Sequence, residues 1–315
     1  MTTRMRYHLY LLTLFCILFS CSQQSGSWTQ FQASGLRDVN EGFERMLFVD
    51  DKIGFLFGDY TSDEAFENRK FLTDIEATIY KTKNAGKSWT RTVLGKGKFQ
   101  DAFVINGIIY AVKDSFTENS YNDVIRKIYL SHDLGNTWKE ELNPSFLINQ
   151  IAVNNTERTA IIGDTLYTVT LYRDSLIATS TTTKESVSID MPQNFRPEII
   201  KADKDKLWLM GKSGNNVQLL ERNKLGQYTT ILFNQAKTKS SLLVAFNIID
   251  STISLIIVDE ATIIGGTHKY FKSTDFGKTW KQEVMPSQLY ADPVAFWGQD
   301  KIWTYAGAGS IQMRQ

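Results

Sequence analysis

Few residues in this 315-residue sequence are spaced for chemistry. There are three histidines and two cysteines. A zinc site needs His, Cys or carboxylate ligands at characteristic spacing, and no such spacing occurs. His132 reads as a turn residue, and His268 as a loop residue ahead of a strand, beside Gly265-Gly266. The paired acids Asp50-Asp51 and Asp259-Glu260 fall at strand ends, where solvated turns are expected and calcium ligation is the lesser alternative. No glycine-rich loop follows a strand and opens a helix, so nothing here cradles a phosphate. Gly307-Ala308-Gly309 reads as a tight turn between short strands. Arginines 45, 69, 126 and 196 are better suited to chemistry, because a guanidinium can grip a carboxylate through two parallel hydrogen bonds. Tyr270 could join them, but no pattern selects a set. The expectation is no catalytic residue, no metal and no cofactor. A net charge of +1 also argues against a polybasic surface for nucleic acid or lipid headgroups.

The N-terminus carries a different signal. Arg4 and Arg6 precede an apolar run from about Leu9 to Phe19. That run is too short to span a bilayer and has the layout of a secretory signal. Leu18-Phe19-Ser20-Cys21 resembles a bacterial lipobox, whose cysteine is lipidated and becomes the first mature residue. The resemblance implies a signal peptide over 1–21, lipid attachment at Cys21, a polar tether over 22–26, and one domain over 27–315. Cys21 would then be the only mature cysteine, so the fold must stand on its core without a disulfide. No acidic cluster follows Cys21, which favours an outer-membrane anchor facing the periplasm, with surface exposure as the alternative.

The elements that must position any site are marked by a repeat. Thr82-Lys83-Asn84-Ala85-Gly86-Lys87-Ser88-Trp89, Ser131-His132-Asp133-Leu134-Gly135-Asn136-Thr137-Trp138 and Ser273-Thr274-Asp275-Phe276-Gly277-Lys278-Thr279-Trp280 share the form S/T-x-D/N-x-G-x-S/T-W. Each follows an apolar, β-rich run. This is a hairpin turn with its own bonds: Gly supplies positive φ, Asp or Asn accepts from backbone N–H groups, and Ser/Thr add local bonds. The Trp then opens the next strand and buries its ring against a neighbouring unit. The glycines at 86, 135 and 277 are 49 and 142 residues apart, the second interval being close to three periods of about 47. Two decayed copies are expected between them, one at Arg222–Tyr228 and a weaker one near Tyr172–Ser175.

The repeat resembles the Asp-box, or bacterial neuraminidase repeat, of sialidases, related carbohydrate-active propellers and photosystem II assembly propellers. In that family it links the third and fourth strands of a blade. The resemblance implies an all-β propeller of four-stranded blades. The strand count gives six blades, or seven if residues 143–197 are divided differently. The loose third unit is read as strands Ile148–Asn154, Thr159–Gly163, Leu166–Leu171 and Leu176–Thr181. The sixth lacks its outer strand, and Ser27–Phe31 should supply it beside Ser310–Arg314, removing the last exposed edges.

A sialidase would need three arginines around the substrate carboxylate, a Tyr nucleophile supported by Glu, and an Asp acid/base. Phe195-Arg196-Pro197 is similar to the family's arginine motif but lacks its Ile and falls after the second box. An exo-acting glycoside hydrolase is therefore the alternative function. The leading one is a monomeric, non-enzymatic scaffold for a protein or glycan partner, as resemblance to the assembly propellers implies. The partner is expected on the face opposite the boxes, over blades one and two, where the links after the second strands are long and mix aromatics with charges. Tyr60, Arg69, Phe116, Tyr121, Arg196 and Tyr290 are the candidate contacts.

Overall fold

The computed structural model describes residues 27–36, 41–68, 72–117, 124–170, 175–214, 216–231, 242–262, 265–285 and 293–315. Twenty-four strands form six four-stranded antiparallel sheets arranged as the blades of a β-propeller. Blade one holds β1's successors β2 (Glu41–Phe48), β3 (Gly54–Tyr60), β4 (Glu76–Thr82) and β5 (Thr90–Lys96), with β1 being Trp28–Gln32. Blade two holds β6 (Lys98–Ile105), β7 (Ile108–Phe116), β8 (Val124–Ser131) and the two-residue β9 (Lys139–Glu140). Blade three holds β10 (Thr159–Ile162), β11 (Thr165–Thr170), β12 (Ser175–Ser180) and β13 (Ser186–Ile189). Blade four holds β14 (Phe195–Asp203), β15 (Lys206–Ser213), β16 (Asn216–Arg222) and β17 (Tyr228–Ile231). Blade five holds β18 (Leu242–Ile249), β19 (Thr252–Thr262), β20 (Gly265–Ser273) and β21 (Lys281–Val284). Blade six holds β22 (Val294–Trp297), β23 (Lys301–Tyr305) and β24 (Ser310–Arg314).

The fourth strand of blade six is β1, paired antiparallel with β24 from Trp28↔Arg314 to Gln32↔Ser310. The ring is thus closed by the two ends of the chain. A second contact reinforces it. Just beyond β1, the Ser34 N–H donates to the Lys87 carbonyl at 3.1 Å, and the Trp89 N–H donates to the Ser34 carbonyl at 2.8 Å. Ala33 and Leu36 are buried with Trp89 and Trp303 between blades six and one.

Strands that alternate side chains between two buried faces explain the core. In β15, Trp208 and Met210 face blade five while Leu207 and Leu209 face blade three. In β3, Leu56 faces blade six while Phe55 and Phe57 face blade two. Among the described residues the buried apolar side chains form six clusters, one at each blade interface.

Three expectations need correction. Phe146–Asn154 is a helix, α2, not the first strand of blade three; a one-turn helix, α1, spans Asp63–Glu67. Ser145 caps α2, its hydroxyl accepting from the Ile148 N–H, and Ile148, Ile151 and Ala152 recur at helical spacing on the buried side. That side fills the space between blades two and three, against Phe103, Val112 and Leu166. The third blade's outer hairpin is also not near Tyr172–Ser175. Residues 171–174 lie outside the described residues, and the strands flanking them are the second and third of the blade. The third-to-fourth turn runs from Ser180 to Ser186, where the Thr183 N–H donates to the Ser180 hydroxyl and Lys184 takes φ of 64°. Finally, His268 is buried within β20, opposite Val258, rather than in a loop ahead of it.

Candidate functional site

In blades one to five the turn from first to second strand and the turn from third to fourth emerge at one end, as does the first-to-second turn of blade six. The link from second to third strand and the link to the next blade emerge at the other, called here the loop face.

The three repeat turns follow the expected chemistry and add one feature. Asp275 accepts from the Thr279 N–H at 2.9 Å, the Thr279 hydroxyl at 2.7 Å and the Ser273 hydroxyl at 2.8 Å. Asp133 makes the same set with Thr137 and Ser131. Asn84 accepts from the Ser88 N–H at 2.9 Å. These donors hold the Asp275 carboxyl down at about 2 and press that of Asp133 lower still. Gly86, Gly135 and Gly277 have φ of 88°, 73° and 78°, but Ala85, Leu134 and Phe276 before them are also left-handed, at 58°, 54° and 56°. Such a residue costs roughly 1–2 kcal/mol. A backbone bond to the inner hairpin of the same blade offsets it: Ala85 N–H to Lys52 O at 2.9 Å, and Phe276 N–H to Ser251 O at 3.0 Å. Each turn lies over the preceding blade. A Cβ on Gly277 would meet Ile231 at 2.2 Å, and one on Gly135 would meet Phe55 at 2.3 Å. Trp89 packs edge-on to Phe48, Trp138 packs edge-on to Phe57 of blade one, and Trp280 packs into the blade four–five cluster. The decayed turn at Arg222–Tyr228 keeps the geometry, with Asn223 accepting from the Gln227 N–H at 3.0 Å and Gly226 at φ 81°. The defining Asp, Asn, Ser and Thr side chains of these turns are engaged in building them, while Lys83, Lys87 and Lys278 are exposed.

On the loop face the second-to-third link of blade one folds around α1, capped by Ser62. Tyr60, at the end of β3, lines a cavity of about 340 Å³ with Glu64, Asn68, Asp74, Glu76 and Lys96. The Arg91 guanidinium sits 5.3 Å from the Tyr60 ring and bonds Glu76 at 2.9 Å. Phe116 ends β7 at the same face, opposite Val124. Nearby, Arg126 grips Asp114 through two bonds of 2.7 and 2.8 Å, which occupies one of the arginines suited to chemistry. Arg196, the second residue of β14, lines a second cavity of about 400 Å³ with Asn155, Glu157, Arg158, Glu198 and Leu243. Tyr60, Phe116 and Arg196 therefore share one face, at different blades. Arg69, Tyr121 and Tyr290 lie outside the described residues, as does Cys21.

The second cavity shares Glu157 and Ile199 with a third, of about 200 Å³, in the central channel between the first strands. Here stand four charges that no local pattern announced. Arg45 bonds Glu157 at 2.8 Å and lies 3.5 Å from Asp101. Asp101 also accepts from the Ala102 N–H and from both the N–H and hydroxyl of Thr156. Lys201 projects into the same channel. Burial, with the charge of Arg45 added, lowers its amine to about 8.

Among the described residues, Tyr80 and Tyr270 each lie beside a glutamate and an arginine, and neither lines this channel. Tyr80 donates to Glu41 at 2.6 Å, with Arg91 3.4 Å away. Tyr270 bonds Ser254 at 3.0 Å beneath Arg314, which is clamped on Glu283. Both tyrosines are fully buried within blade interfaces, and burial pushes Tyr270 up to about 12. Among the described residues no group of three or more His, Cys, Asp or Glu is placed to hold a metal ion, and no helix is long and apolar enough to cross a membrane.

No protein-family model matches the chain, and no curated protein does. Solved structures do. YCF48 bound to D1 peptide superposes with a TM-score of 0.53 at 13% identity, covering 91% of this chain and 96% of that one. A catalytically inactive virginiamycin B lyase from Staphylococcus aureus, solved with quinupristin, gives 0.55 at 11% identity, covering 92% and 99%. The likeness is one of fold. Within it, the channel charges are what sequence reasoning missed: Arg45, Asp101, Glu157 and Lys201 come from four blades and carry no spacing signal. Of these only Arg45 was read from the sequence, as one of four arginines suited to gripping a carboxylate.

Proposed function

We propose that this chain is a non-enzymatic binding propeller that docks a protein segment on its loop face, held at the bacterial envelope by a lipid on Cys21. The repeat turns are read as Asp-boxes that build the scaffold and leave recognition to the opposite end. One observation carries the reading. The open cavities described above gather at the loop face and run into the channel, while the defining Asp, Asn, Ser and Thr side chains of the repeat turns bond within their own hairpins. Long links on a rigid scaffold are suited to recognition. The cavity under Tyr60 is rich in carboxylates, and the one at Arg196 carries two arginines, so a partner segment bearing both signs of charge would match them. The shared fold with a propeller solved holding a peptide supports a protein partner over a glycan.

Capture from envelope extract tests this. Wild type should retain a partner that Tyr60→Ala/Arg196→Ala and Phe116→Ala variants lose while keeping their melting temperatures. Loss of capture on Lys87→Glu with Lys278→Glu, and not on the loop-face variants, would place binding on the wrong side for this reading.

A further inference from the structure

The channel holds a charge arrangement that scaffold building does not require. Its cavity of about 200 Å³ has the volume of roughly seven waters. Arg45, Lys201 and Glu157 form one side, while Val294 and Phe296 of β22 form part of the other. Arg45 is fixed by Glu157 and Asp101, and Asp101 is saturated by Thr156 and Ala102. Two groups keep open valence. Only one oxygen of Glu157 is engaged, by Arg45. The Lys201 amine makes no hydrogen bond or ion pair with any described residue. Lys201 is half-buried at the channel wall, where partial desolvation disfavours an unpaired cation. The depressed pKa of Lys201 reflects that cost.

The four charges sum to zero, two cations against two acids. A simple anion on Lys201 would leave the channel net negative, and a simple cation on Glu157 would leave it net positive. A ligand that pairs with both open groups and keeps the site neutral carries one acid and one ammonium. We propose that the channel is a binding site for a small zwitterion of the α-amino-acid class, its carboxylate on Lys201, its ammonium on Glu157 and its side chain against Val294 and Phe296. Access is from the loop face, through the cavity that shares Glu157 and Ile199 with the channel. The proposal stands apart from partner docking, because Lys201, Val294 and Phe296 lie inside the ring.

Calorimetric titration of the full domain with neutral L-amino acids, from glycine to phenylalanine, tests it. At least one should bind with Kd below about 1 mM. The matching acid without the amine, and the matching amine without the acid, should each bind at least tenfold more weakly. Lys201→Met and Glu157→Gln should weaken the amino acid by a similar factor. If Lys201→Met does not fold, Lys201→Gln takes its place, and the two truncated ligands decide the matter on wild type alone. Binding by no member of the series, equal binding of the amine-free acid, or wild-type affinity in folded variants would each overturn the proposal.

Discussion

The N–H of Trp89 donates to the carbonyl of Ser34 at 2.8 Å, tying the first repeat turn to the segment that closes the ring. Because β1 also completes blade six, one short stretch of chain joins the last blade to the first twice over. Removing residues 27–36 would expose the edge of β24 and open the cluster holding Trp89 and Trp303. Deletion of 27–36 should abolish the cooperative thermal transition, whereas deletion of 22–25 should leave it unchanged. Calorimetry of the two truncations reads the difference, and equal tolerance would mean that the ring does not depend on this clasp.

The repeat turns should govern stability. Trp89 is 5% exposed, and its indole N–H donates to the Gly86 carbonyl at 2.8 Å. Trp89→Ala should cost about 3–5 kcal/mol in chemical denaturation. Gly277→Val places a β-branched residue at positive φ and against Ile231, so its melting temperature should fall as well. Wild-type stability in both variants would mean that the turns are ornamental.

Arg314 and Glu283 join blades six and five as a buried pair, 3% and 8% exposed, through bonds of 2.7 and 2.9 Å. The guanidinium also donates to the Asp300 carbonyl and lies over the Tyr270 ring. Arg314→Met strands the Glu283 carboxylate and should cost about 3–5 kcal/mol. The double variant Arg314→Met/Glu283→Met should recover much of that loss. A double variant no better than the single one would show that packing at Arg314, not its charge, is what matters.

Asp275 and Asp133 give the protein an acid-side dependence of defined sign. Their folded carboxyls titrate below the ordinary value, Asp275 at about 2, so the folded state binds fewer protons than the unfolded one. Their contribution is present above about pH 4 and is lost as pH falls toward 2. Asn serves in the first turn as Asn84, so Asp275→Asn should fold. Its melting temperature should drop less between pH 5 and about pH 2.5 than that of wild type. Parallel pH profiles would contradict the assignment.

Much of this architecture was legible in the sequence because it is locally encoded. The turns carry their own donors, acceptors and left-handed residues, and Trp28–Gln32 meets Ser310–Arg314 in the expected pairing. The errors come from places where local signals compete. The Ile-rich run after Phe146 reads as a strand, yet the Ser145 cap and the spacing of Ile148, Ile151 and Ala152 make it a helix once blades two and three leave a gap to fill. The outer turn of blade three lacks both the glycine and the tryptophan of its counterparts, so nothing pointed to Ser180–Ser186. The channel charges were invisible for another reason: Arg45 and Lys201 are brought together only by ring closure across four blades.

The claim that this is a binding propeller used from its loop face is tested most directly by site-specific photo-crosslinking in the envelope. A photoreactive residue in place of Tyr60 should yield a discrete crosslinked partner, and one in place of Lys278, on the turn face, should yield none. A crosslink from position 278 with none from position 60 would contradict the account.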